Sequence, residues 1–194
     1  MTNAGEYLAG AYYSICMDSR YILYNQSIYF EDFDENFPYN WTKEGLQEVF
    51  KDGHFYLDKV EIDVVAGGGD YRIIAECTER SFENRPFEKI RRKFYGALAY
   101  DAMNGSDTNL RLELWAPTVS TEIKNNWKKL ENELKDLHKN IDSEYSTLSL
   151  TLVSDEMYKS RIEDLISRVK NISHNKLDNP VFRTLQLLNR AGYL

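Results

Sequence analysis

The chain is poor in cysteine, in basic residues and in uninterrupted apolar sequence, and each scarcity closes off a class of protein. Only two of its 194 residues are cysteine, Cys16 and Cys77, too few for a disulfide framework or a paired-cysteine metal motif. Cys16 falls in a helical apolar pattern and Cys77 in a strand-like one, so both are expected to be buried thiols in a reducing compartment. No apolar run approaches the roughly 20 residues that a bilayer-spanning helix requires. The opening MTNAGEYLAG has neither the basic stretch nor the apolar core of a secretory signal, so the expectation is a soluble, cytoplasmic protein with no membrane partner. With 24 Lys and Arg against 31 Asp and Glu, the formal charge is -7. That balance disfavours a protein that coats nucleic acid non-specifically, because such binding rests on many cations neutralising phosphates. It is compatible with a local basic face.

What is abundant is aromatic and apolar: 42% of residues are hydrophobic and 14 are tyrosine, enough for one well-filled core or one core with an extension. Ala4, Leu8, Ala11, Tyr12 and Ile15 recur at helical spacing, and Asp18-Ser19 supplies a stop before a strand-like run from Tyr21 to Phe30. The acidic stretch 31–39 reads as a surface excursion, and Thr42 as the cap of a short helix carrying Leu46, Val49 and Phe50. Two strands follow, Phe55 to Ala66 and Tyr71 to Thr78, joined by Gly67-Gly68-Gly69-Asp70, a run suited to the positive φ angles of a tight turn. Asn84 and Pro86 then make a cap and first-turn pair for a helix that Asn104-Gly105 ends, and Leu110, Leu112 and Leu114 share one side of the next strand.

After Pro117, Ile123, Trp127, Leu130, Leu134, Leu137 and Ile141 form a seam at alternating spacings of four and three. It wants a partner surface: either the domain's own sheet and helices, or a second copy of the chain. Tyr145 to Val153 reads as a further strand, Met157 to Val169 as an amphipathic helix, and Asn179-Pro180 as the start of a last one.

The chemistry concentrates in the hairpin. Side chains alternate along a strand, so Val60, Ile62 and Val64 point one way and Glu61, Asp63 and Val65 the other. In the second arm Ile73, Ala75 and Cys77 oppose Arg72, Ile74, Glu76 and Thr78. If the two apolar sides share the core, Asp63 and Glu76 stand together on the opposite face. Two neighbouring carboxylates repel and raise one another's pKa unless a cation lies between them, and a hard divalent ion prefers such oxygen ligands. An ion held there would polarise a phosphoryl oxygen and acidify a bound water, which is the chemistry of phosphodiester hydrolysis.

The segment EIDVVAGGGDYRIIAECTER, followed by the basic helix FEKIRRKF, resembles the PD-(D/E)xK nuclease superfamily over roughly the first 116 residues. The resemblance implies an α/β fold with a restriction-endonuclease-like αβββαβ core around a mixed central sheet. Residues 117–194 would be a mainly helical extension with one strand, packed on that core or forming a dimer contact. It implies Asp63 and Glu76 as ligands of Mg²⁺ or Mn²⁺, with Thr78 where the catalytic lysine usually stands. A threonine hydroxyl is neutral and cannot stabilise charge as a lysine does, so Lys89 or Lys93 from the next helix is expected to restore the cation. The bland reading of that basic run is a solvated helix face.

Glu6 is a further candidate ligand, since the superfamily often places an acid on the first helix, although a first-turn Glu commonly serves the helix dipole. Glu61 shares the face of Asp63 and stands as a ligand, a supporting base or a solvated strand residue. His54, His138 and His174 are scattered and have no zinc or nucleophile–base spacing. The expected function is a metal-dependent nuclease cleaving DNA or RNA, which the resemblance associates with defence against foreign nucleic acid, with a homodimer for duplex cutting. The alternatives are an inactive nuclease-like module that binds nucleic acid or a protein partner, and an unrelated α/β interaction protein in which both acids are solvated.

Overall fold

A computed structural model describes residues 3–29, 59–78, 86–105, 109–138 and 147–169. They form an α/β protein with helices α1 (Ala4–Cys16), α2 (Phe87–Met103), α3 (Thr121–His138) and α4 (Asp155–Val169), and strands β1 (Tyr21–Tyr29), β2 (Lys59–Gly67), β3 (Tyr71–Cys77), β4 (Asn109–Trp115) and β5 (Leu148–Val153). The strands lie in one sheet in sequence order. β1, β2 and β3 pair antiparallel, whereas β3, β4 and β5 run parallel and are joined by helical crossovers. The expected short helix around residues 42–50, the acidic excursion at 31–39, the final helix after Asn179, Ile141, His54 and His174 all lie outside the described residues. Among the described residues no helix is long and apolar enough to cross a membrane.

Each helix starts and stops for local reasons. Asn3 caps α1 by accepting from the Glu6 N–H at 3.0 Å, which satisfies a donor that the first turn cannot pair. Pro86 is itself the N-cap of α2, with φ -59 and ψ 138; it therefore stands one position before the first turn in which the sequence had suggested it. α2 ends at Asn104, and Gly105 follows at φ 82, a left-handed conformation that costs glycine little.

The turn after β2 is present, with Gly68 N–H donating to Tyr71 O at 3.1 Å, but its glycines act differently from expectation. Among the described glycines only Gly105 has a positive φ. A Cβ on Gly67 would run into the Tyr21 side chain and one on Gly68 into Tyr71, so these glycines admit rings.

Both sheet faces are covered, which corrects the expectation of a single core on one side of the hairpin. α2 and α3 bury Ile74, Leu110, Leu112, Leu114, Ile123 and Leu130, while α1 covers Val64, Ala66, Ile73, Ala75 and Trp115. The seam of α3 is used within the chain: Ile123, Leu130 and Leu134 are fully buried, and Trp127 meets Phe94 of α2 edge-on at 5.7 Å between centroids. A homodimer would therefore have to use another surface.

The simple alternation expected for β2 also breaks. Val60 and Ile62 pack on the α2 side, yet Val64 and Ala66 pack on the α1 side; β1 changes sides in step, with Ile22 and Tyr24 toward α1 and Ile28 toward α2. The register is unchanged across the break, Tyr24 pairing with Val64 and Gln26 with Ile62. No residue is inserted, as it would be in a β-bulge. Between these pairs stand Asn25, at φ 51, and Asp63.

Two buried polar groups make the fold testable. Arg72 reaches from β3 to the end of α2, pairing with Asp101 at 2.5 Å and donating to the carbonyls of Asn104 and Gly105 at 2.9 and 2.8 Å. Asp101 is fully buried, so Arg72→Ala is expected to cost about 3–5 kcal/mol in urea denaturation. Arg168→Ala, which breaks only a surface ion pair with Asp164, is expected to leave the urea midpoint nearly unchanged.

His138 is buried, and neither ring nitrogen has a hydrogen-bond partner among the described residues. Burial holds its pKa below the usual value, so the unfolded chain takes up this proton first as pH falls below about 6.5. Stability is expected to decline over that range, and His138→Leu to flatten the decline in melting temperature measured from pH 7 to 5.

Candidate metal and acid–amine site

The break in β2 builds the site. Where the ladder between β2 and β3 would continue past Val64 and Ala75, Asp63 instead accepts the Cys77 N–H through Oδ2 at 2.8 Å. A carboxylate here takes the place of a backbone acceptor, satisfying an amide that would otherwise be buried unpaired. Asp63 is half-buried, and the arrangement holds its side chain against β3 beside Glu76.

Glu76 extends from β3 toward α2 and is 8% exposed. Lys93 comes down from α2 to meet it, Nζ to Oε2 at 2.9 Å, and also donates to the Glu61 carbonyl at 3.0 Å. The close approach of α2 has a local cause: a Cβ on Gly96, three residues on, would collide with Val60 of β2. Burial pushes the Glu76 carboxyl up to about 8; Lys93 opposes that rise, while Asp63 adds to it by charge and by a hydrogen bond. For Lys93, burial alone would lower the pKa, but Glu76 and Asp63 outweigh it and hold the ammonium above its usual range.

Glu6 approaches from the other face. It is 3% exposed, and its Oε1 accepts from Asn3 Nδ2 at 2.5 Å, which ties it to the residue that caps α1. Its Oε2 is buried with no hydrogen-bond partner among the described residues. Burial raises its pKa, the Asn3 hydrogen bond opposes this, and Asp63 raises it further.

The remaining candidates fall out differently. The Glu61 side chain is exposed, and its carbonyl is what reaches Lys93. Thr78 lies just past β3, half-buried, with its N–H donating to Trp115 O at 2.9 Å. Lys89 is exposed and makes no ion pair with a described carboxylate. Of the basic run, Arg91 is turned toward α3, bonded to Glu133 at 2.8 Å and to Tyr95 at 3.0 Å. Lys93 thus supplies the site's cation, and Arg91 serves packing.

The donor set suits a hard divalent cation: Asp63 acts electrostatically on both Glu6 and Glu76, and one buried oxygen of Glu6 lacks a partner among the described residues. Against this, Lys93 already neutralises Glu76, and among the described residues no three His, Cys, Asp or Glu side chains form a ready metal-holding group. The residues fit such an ion provided that Lys93 shares Glu76 with it. Comparison with protein-family models, curated proteins and solved structures returned no match.

The dual role of Asp63 separates its shape from its charge. Asp63→Ala is expected to destabilise the fold by about 1–3 kcal/mol, because the Cys77 amide loses its acceptor. Asp63→Asn retains a carbonyl oxygen and is expected to recover most of that loss in chemical denaturation.

Proposed function

We propose that this chain is a divalent-metal-dependent nuclease that hydrolyses phosphodiester bonds in DNA or RNA. The observation that carries the reading is Lys93 Nζ at 2.9 Å from Glu76 Oε2, which puts a lysine beside the second acid although Thr78 stands in the motif position. The order α1-β1-β2-β3-α2-β4 around a mixed sheet supports a restriction-endonuclease-like core. Defence against foreign nucleic acid, as the resemblance implies, belongs to the same proposal.

In this reading Asp63 and Glu76 hold Mg²⁺ or Mn²⁺, with Glu6 contributing its unpartnered oxygen. The bound ion supplies Lewis acidity toward a phosphoryl oxygen and lowers the pKa of a water. Asp63, oriented by the Cys77 amide, fixes where the acidic pair sits. Lys93 opposes the upward push that burial gives the Glu76 carboxyl and would place a positive charge where negative charge develops on phosphorus and its oxygens. Duplex cutting calls for two copies, joined elsewhere than through the α3 seam.

The full chain incubated with DNA and RNA substrates and Mn²⁺ is expected to cleave one of them. Asp63→Asn and Lys93→Met should each lower the rate by at least about 100-fold. Equal rates for wild type and both variants would remove the assignment.

A second reading draws on the occupation of Glu76 by Lys93 and on the lack of a ready three-ligand group among the described residues. Here the chain is a catalytically inactive nuclease-like module that binds nucleic acid or a protein partner. The two readings separate on melting temperature: saturating Mn²⁺ raises it for a metal site that belongs to the folded state and leaves it unchanged for the inactive module.

A further inference from the structure

The sheet face away from Lys93 carries a second concavity, a groove of about 610 Å³ bordered by α1, α4 and the strands β4 and β5. That volume falls in the range of small-molecule sites, roughly 300–1,000 Å³. At its inner end the polar groups are already matched. Glu113 accepts from Tyr13 and Trp115 at 2.8 Å each and from both terminal nitrogens of Arg161 at 2.6 and 3.2 Å. The Arg161 guanidinium also lies over the rings of Tyr12 and Trp115 at 4.9 and 5.0 Å. Within this cluster the charges of Glu113 and Arg161 cancel.

Farther out the groove holds donors that are not matched. Arg111 is exposed, with its guanidinium 5.2 Å from the centre of the Tyr71 ring, and it pairs with no carboxylate among the described residues. Ser149 stands directly across from it on β5, and Thr151 stands across from Glu113. Neither hydroxyl bonds to another described residue, whereas Thr147, just before β5, donates to Asn109 at 2.8 Å. A planar guanidinium on β4, resting beside Tyr71 of β3, and two hydroxyls on β5 thus line the same groove. The only carboxylate in the lining among the described residues, Glu113, is neutralised by Arg161.

Guanidinium forks match phosphate oxygens two at a time, and the flanking hydroxyls can take the remaining oxygens. The groove is far larger than a phosphate ion, so the rest of the ligand has room beside it. We propose that this groove binds a phosphorylated small molecule, its phosphate held by Arg111, Ser149 and Thr151. The proposal is independent of the nuclease reading, because the groove and Glu76 lie on opposite faces of the sheet.

The test is calorimetric titration of the full chain with inorganic phosphate, ribose 5-phosphate and adenosine monophosphate, with chloride matching the ionic strength. Saturable binding of at least one of these is expected. Arg111→Gln should weaken it tenfold or more and Ser149→Ala by a smaller factor, while Asp63→Asn leaves it unchanged. Melting curves check that Arg111→Gln is folded, as its exposure and lack of an ion pair predict. Absence of saturable binding to all three probes, or equal affinity in Arg111→Gln, overturns the proposal. So does an Arg111-dependent affinity seen only with an oligonucleotide, which would make the groove a nucleic-acid contact.

Discussion

The centre of this protein depends on a carboxylate standing in for a carbonyl. Cys77 N–H donates to Asp63 Oδ2 at 2.8 Å, at the point where β2 and its neighbour β1 both change the face on which their side chains pack. A sheet covered on both faces needs apolar residues on both, and a strict two-residue period would leave Val60, Ile62, Val64 and Ala66 all on one side. The change of side divides them between the α2 and α1 clusters. Asn25, directly across in β1, makes this possible by taking a positive φ of 51, a conformation that asparagine adopts more readily than most residues. One interaction thus serves packing and places an acid beside Glu76.

The same construction governs the electrostatics. Glu76 is almost fully buried, and a lone ionised carboxylate there would be costly. Lys93 offsets that cost, and Asp63 keeps the site acidic despite it. Because α2 reaches the sheet closely at Gly96, the amine comes from a helix one element later than the β3 position where a motif lysine would be sought. Function and stability are therefore coupled in a few residues: of the acids that would hold a cation, Asp63 closes a backbone gap, Glu6 bonds to the residue that caps α1, and Glu76 is the buried partner of Lys93.

Much of the architecture was legible in the sequence. The spacing of Leu8, Ala11, Tyr12 and Ile15 marked α1, the leucines at 110, 112 and 114 marked one face of β4, and Asn104-Gly105 marked the end of α2, because these signals are local. The acidic pair was legible as well, since both residues interrupt apolar strands. The break at Asp63 was not, because alternation assumes an undistorted strand and the sequence carries no sign of Asn25 pairing across from it. The buried cluster around Glu113 was also missed: Tyr13, Glu113 and Arg161 are about 100 and 48 residues apart along the chain, and each alone reads as an ordinary helix or strand residue.

By itself, then, the amino-acid order determined the kinds of element, most of their limits, and the presence of two acids in the hairpin, since these follow from short-range periodicity, capping and turn chemistry. Tertiary structure alone decided that Lys93, and not Lys89, meets Glu76; that Glu6 arrives from the opposite face; and that the α3 seam is closed by its own sheet. Those outcomes depend on the depth to which each helix settles and the face it covers, which are set by the summed packing of distant residues and not by any local pattern.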